Sequence, residues 1–178
     1  MAAARCPSLV LMLLLSCTCY GAASAAADGK LIHLHFYFHE VRAGAPNATV
    51  VSVVSLNNKS AGAFGDVKVL DNELREGPDP ESRLIGRAQG FGVNASLDGS
   101  SYFSAIDFVF SGDDGEYSGS TVSAQGRFDP TGRRTDERSI VGGTGKLRFA
   151  RGYMTSRILS STNSYLVAVF DMYLTLAH

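Results

Sequence analysis

Beyond residue 27 this chain of 178 residues has no cysteine; its three, Cys6, Cys17 and Cys19, all lie before that point. A disulfide framework, a thiolate nucleophile and a cysteine metal site are therefore excluded from the rest of the chain, whose stability must come from a core and a closed sheet. Long apolar runs are scarce too. The run over residues 9–15 is too short to span a bilayer, and no later segment approaches the required length, so no membrane association is expected. Neither sign of charge dominates: past residue 27 there are 15 basic and 17 acidic side chains, a balance that argues against nucleic acid as a partner. No Gly-x-Ser-x-Gly elbow occurs, which removes the usual serine hydrolase arrangement. The glycine-rich stretch 140–153 is no phosphate loop either. Ile140 stands where the first P-loop glycine belongs, Leu147 replaces the magnesium-binding hydroxyl, and no helical pattern follows.

What is present begins with a leader. Arg5, the apolar run and the small residues 22–27 make residues 1–27 a secretory signal peptide, with cleavage expected near 25–27 and residues 28–178 forming one secreted domain. In that setting Asn47, Asn58 and Asn94 each open an acceptor sequon for glycosylation. From residue 31 onward the pattern has period two, broken by Gly, Pro, Asn and Asp clusters. Strands are predicted over 31–41, 49–56, 67–71, 83–93, 101–110, 117–128, 138–141, 146–156 and 164–174. Short connections favour antiparallel neighbours, and the interior glycines of 83–93 and 117–128 favour a small barrel over a flat sandwich.

The first strand divides its side chains cleanly. Ile32, Leu34, Phe36, Phe38 and Glu40 share one face; His33, His35, Tyr37 and His39 share the other. The spacing His33-x-His35-x4-Glu40 resembles the first metal motif of the cupins, yet Glu40 falls opposite the histidines and no later strand carries a histidine, the next after His39 being His178, so no metal and no cofactor are expected. Glu40 itself closes an apolar face. A carboxylate at the rim of an apolar cavity is desolvated and its pKa raised, which suits proton transfer near neutral pH. Asp107, Asp113, Asp114, Glu116 and Asp129 are further acids, most of them beside turn glycines.

The segments Leu34-His-Phe-Tyr-Phe-His39, Asn47-Ala-Thr-Val-Val51, Glu76-Gly-Pro-Asp-Pro80, Gly86-Arg-Ala-Gln-Gly90, Tyr117-Ser-Gly-Ser-Thr121 and Val141-Gly-Gly-Thr-Gly145 through Ala150-Arg-Gly-Tyr153 together resemble the plant dirigent proteins. The resemblance implies an all-β fold, an eight-stranded antiparallel β-barrel like that of allene oxide cyclases, with a ligand cavity in each subunit of a homo-oligomer, usually a trimer, secreted to the apoplast. It implies a non-oxidising protein that orients phenoxy radicals of monolignols such as coniferyl alcohol, made by a laccase or peroxidase, for stereoselective coupling to lignans. Two alternatives are a cyclase or isomerase acting on a quinone methide and a phenolic-binding defence protein. By the same resemblance Glu40 and Asp129 are the acid and base, and Phe38, Tyr117, Arg134 and Arg138 contact substrate. An arginine of lignan-forming members falls on Asp136 here, between Arg134 and Arg138.

Overall fold

A computed structural model describes residues 30–42, 44–55, 62–113 and 115–176. Among the described residues are nine strands: β1 (Ile32–Val41), β2 (Val50–Val54), β3 (Val67–Arg75), β4 (Leu84–Asn94), β5 (Tyr102–Phe110), β6 (Thr121–Phe128), β7 (Asp136–Gly143), β8 (Ala150–Ser161) and β9 (Tyr165–Leu176). Every pairing is antiparallel, in the order β1-β9-β8-β7-β6-β5-β4-β3-β2. The sheet closes where Tyr37, Phe38 and His39 of β1 meet Arg75, Leu74 and Glu73 of β3. β2 takes over the other half of β3, pairing Val50–Val54 with Val67–Leu70. The result is an eight-stranded barrel whose β1–β3 seam is extended by the short β2, which pairs with β3 alone.

Alternation decides what fills it. β1 sends Phe36 and Phe38 inward; across it β9 contributes Leu166, Ala168, Phe170, Met172 and Leu174, all buried. Phe36, Phe108 and Phe170 pack at centroid separations of 5.7–6.0 Å, tilted or edge to face, the geometry that aromatic quadrupoles favour. Glycine enters β4 where two backbones come close: a Cβ on Gly90 would lie 2.2 Å from the Ala105 carbonyl oxygen.

The predicted strand 146–156 starts later than the period suggests. Gly145–Leu147 forms a 3-10 turn instead, because Leu147 folds down into the barrel end and is fully buried. The turn is fastened to the β5–β6 connection. The Lys146 amide donates to Ser120 Oγ at 3.0 Å, Lys146 Nζ donates to the Glu116 carbonyl at 2.9 Å, and the Thr121 and Thr144 hydroxyls are 2.8 Å apart. The glycine-rich segment is thus the plug of one barrel end. β6 likewise begins at Thr121 rather than 117, since residues 117–119 are spent on the turn.

Candidate ligand cavity

Leu147 and the aromatic cluster fill one end of the barrel; the other end holds a cavity of about 500 Å³. Its wall includes Phe38, Tyr102, Phe128 and Phe170, and among them three ionisable side chains: Glu40, Asp136 and Arg138. β1 places Glu40 two residues beyond Phe38 on the inward face, opposite Leu166 of β9. β7 places Asp136 opposite Ser156 and Arg138 opposite Met154, one turn of the alternation apart.

Arg138 is buried, with 4% of its surface exposed, and two of its nitrogens, Nε and Nη1, have no hydrogen-bond partner. Its guanidinium carbon lies 5.3 Å from the Phe128 ring centre and 5.8 Å from that of Phe170, so the cation is held between π faces. Gly126, with φ of 155°, makes room: a Cβ there would come within 3.2–3.3 Å of the Arg138 backbone and stem. Burial pulls the Arg138 pKa down to about 10, against the opposing pull of Asp136, and the group stays cationic at neutral pH. A buried cation with unused donors is costly unless something accepts from it.

Both carboxyls are displaced upward. Burial raises the Glu40 pKa, with Arg42, Lys68 and Asn72 drawing it partly back. Burial raises Asp136 as well, opposed by the hydrogen bond that the Asp129 amide donates to its Oδ1 at 3.1 Å and by Arg138. Two protonatable carboxyls thus face a fixed cation in an aromatic cavity.

The other sequence candidates do not line the cavity. The Asp129 carboxylate is turned onto its own loop, accepting the Thr131 amide at 2.8 Å and lying 3.7 Å from Arg134; hydrogen bonding from Thr131 lowers its pKa. It supports Asp136 through its backbone and does not line the cavity. Arg134 is exposed. Tyr117 packs on the core beside the plugged end, outside the cavity wall. Asn94 is wholly buried and its amide donates to the Gly62 carbonyl. Asn47 is exposed, and Asn58 lies outside the described residues.

On the outer face of β1 the histidines divide. His39 is buried: its Nε2 is 3.0 Å from the Gly77 carbonyl and therefore carries the proton, leaving Nδ1 to accept from the Tyr165 hydroxyl at 2.6 Å. Burial lowers its pKa, in keeping with this neutral tautomer. His33 and His35 are exposed.

The comparison with known proteins now has a barrel and a cavity to explain. A family model described as Dirigent-like protein matches residues 31–175, nearly all of the barrel. This chain belongs to the dirigent-like family. It is similar to Dirigent protein 11 of Arabidopsis thaliana, 36% identical over 146 residues that cover 82% of this chain and 74% of that protein. It is also similar to Pterocarpan synthase 1 of Glycyrrhiza echinata, 39% identical over 135 residues, 75% and 70% of the two chains. A solved pterocarpan synthase dirigent protein superposes with a TM-score of 0.75 at 34% identity, covering 84% of this chain and 97% of that one. Within this dirigent barrel, Asp136 does not leave the cavity without an arginine. Arg138, two residues on and inward by alternation, supplies it.

Proposed function

We propose that this dirigent protein binds a phenolic quinone methide in the β-barrel cavity and directs its ring closure from one face. The observation that carries the reading is the buried Arg138 guanidinium, two of whose nitrogens lack a hydrogen-bond partner, sharing an aromatic cavity with two carboxyls of raised pKa. The guanidinium holds the quinone methide carbonyl oxygen. Glu40, as carboxylate, takes the proton from an internal hydroxyl while that oxygen attacks the exocyclic carbon. One C–O bond forms, the exocyclic double-bond electrons move into the ring, and the carbonyl oxygen becomes a phenolate. Arg138 stabilises that charge until the proton that Glu40 took is returned to it, which restores the Glu40 carboxylate. Substrate and product are isomers, so no oxidant is consumed. Stereochemistry follows from binding: a wall that raises one approach by about 1.4 kcal/mol gives tenfold selectivity. The names of the pterocarpan synthase relatives point the same way.

Phe38, Tyr102, Phe128 and Phe170 support a second reading, in which two monolignol phenoxy radicals made by an extracellular laccase or peroxidase are held for face-selective coupling. That reaction needs the aromatic wall but no proton transfer by Glu40. One experiment addresses both. The protein is incubated with a hydroxyphenyl quinone methide precursor that closes to a pterocarpan-type ring, and separately with coniferyl alcohol and a one-electron oxidant; the products are resolved by chiral chromatography. Enriched cyclised product that is lost in Glu40→Gln supports ring closure. Enriched pinoresinol indifferent to Glu40→Gln supports coupling, and racemic product in both arms at every protein concentration overturns both.

The protein is proposed to act outside the cell after removal of residues 1–27, with Asn47 as its glycan acceptor among the described residues. An outward row of Val51, Val69 and Phe91, joined by Val53 and Phe103, leaves a patch of β2–β5 apolar and 40–55% exposed, and we propose that further copies of this chain cover it in a trimer. Sedimentation of Phe91→Lys as a monomer beside a wild-type trimer would support this; a monomeric wild type would refute it.

A further inference from the structure

The outer face of β1 carries a second constellation, separated from the cavity by the thickness of the barrel wall. His33 and His35 project there two residues apart, and β9 sets Asp171 directly opposite His35. His33 Nε2 and His35 Nδ1 are each 2.8 Å from the same oxygen, Asp171 Oδ1, and the three ligand atoms lie within 4.8 Å of one another. The cupin-like spacing looked for its carboxylate at Glu40, on the wrong face; the fold brings one from 136 residues further along the chain, on the right face.

Both rings are held in place. His33 stacks on Tyr173 with centroids 4.6 Å apart and planes within 3°, and Tyr173 in turn stacks on Tyr153 at 5.2 Å. His35 meets Tyr37 edge to face at 5.3 Å, and its far nitrogen, Nε2, is 3.4 Å from the Tyr37 hydroxyl. An outer partner of this kind is what a ligating imidazole uses to fix its tautomer. The ligands stand on two paired core strands, while the two imidazoles are nearly half exposed, so an ion has access and open coordination positions beside a groove lined by Tyr37, Thr155 and Arg157.

We propose that His33, His35 and Asp171 bind one first-row divalent transition ion, Cu²⁺ more tightly than Zn²⁺. Two imidazoles and one carboxylate suit these ions; Ca²⁺ and Mg²⁺, which demand oxygen ligands, are refused. On binding, the protons that now face Asp171 move to the far ring nitrogens, and that of His35 is then received by Tyr37.

The test uses the chain without a histidine tag. Calorimetric titration with ZnCl₂ and with CuCl₂ in a non-chelating buffer should show one saturable site per chain, tighter for copper, with no response to CaCl₂ or MgCl₂. Tyr37→Phe should weaken it about tenfold, and His35→Ala or Asp171→Asn by more. Should either ligand variant fail to fold, electron paramagnetic resonance of Cu²⁺ on the wild type should show coupling to two imidazole nitrogens. No saturable uptake, binding unchanged in the ligand variants, or coupling to fewer than two imidazoles would overturn the site and leave a hydrogen-bonded surface cluster only.

Discussion

The two ends of the barrel are made from the same strands and differ in what the inward positions carry. Towards the plug, β1 presents Leu34 and Phe36, β9 presents Met172 and Leu174, and β7 presents Ile140. Towards the mouth the same strands present Phe38 and Glu40, Ala168 and Leu166, and Asp136 and Arg138. At the plugged end every inward side chain meets another and Leu147 closes the gap. At the mouth, charged groups meet a cavity. Stability and chemistry are therefore divided along one axis, and the mouth retains a destabilising cation because the packed end supports it.

Truncation of the packed end tests this division most severely. Phe108→Ala removes a fully buried ring that contacts Phe36 and Phe170 and should cost about 3–5 kcal/mol, read as a lowered urea midpoint with unchanged slope. Phe128→Ala, at the half-buried mouth, should cost markedly less. Equal losses would erase the distinction between the ends.

A change at the mouth should strike turnover instead. Glu40→Gln keeps shape and removes the base, and the rate of ring closure should fall about a hundredfold while the protein stays folded. Retained phenolic binding, by fluorescence or calorimetry, separates loss of proton transfer from loss of the ligand.

Arg138→Met sharpens the comparison from the opposite side. Replacing a buried cation, two of whose donors are unused, with an apolar chain of similar length should leave stability unchanged or raise it by about 1–3 kcal/mol, while ligand affinity falls. A melting temperature lowered as far as in Phe108→Ala would show that Arg138 belongs to the packing.

How much of this the sequence discloses follows from the range of each signal. The alternation in β1 is local, so Glu40 could be placed inside beside Phe38, and β7 shows by the same rule that Asp136, Arg138 and Ile140 share a face. Asp129 could not be judged this way, because its carboxylate is turned aside by the loop at Pro130 and captured by Thr131. Tyr117 reads as a strand residue, but its backbone is committed to the turn that meets the plug. Asn94 ends a strand in a sequon, and only the folded position of Gly62 hides it. Asp171 is the extreme case: β9 is plainly a strand, yet which of its residues faces His35 depends on a register between the two ends of the chain.

The smallest expected effect is on the pH dependence of stability. Glu40 has its pKa raised by burial above an ordinary value of 4.5, so between those two values the folded chain keeps a proton that the unfolded chain has released. Stability contributed by the protonated form is complete below 4.5, declines as the pH rises through the window, and is gone above the raised value. Asp136 acts with the same sign from 3.8 upward. Asp129 and His39, whose pKa values are lowered, contribute with the opposite sign, so the mouth carboxyls are read from the difference between variants. From pH 3.5 to 8 the urea midpoint of the wild type should therefore fall relative to that of Glu40→Gln, Asp136→Asn, whereas Phe108→Ala should lower the wild-type curve without changing its shape. A wild-type midpoint that keeps a constant distance from that of the double amide variant across this range would place the titration elsewhere and break the assignment of raised carboxyls to the cavity.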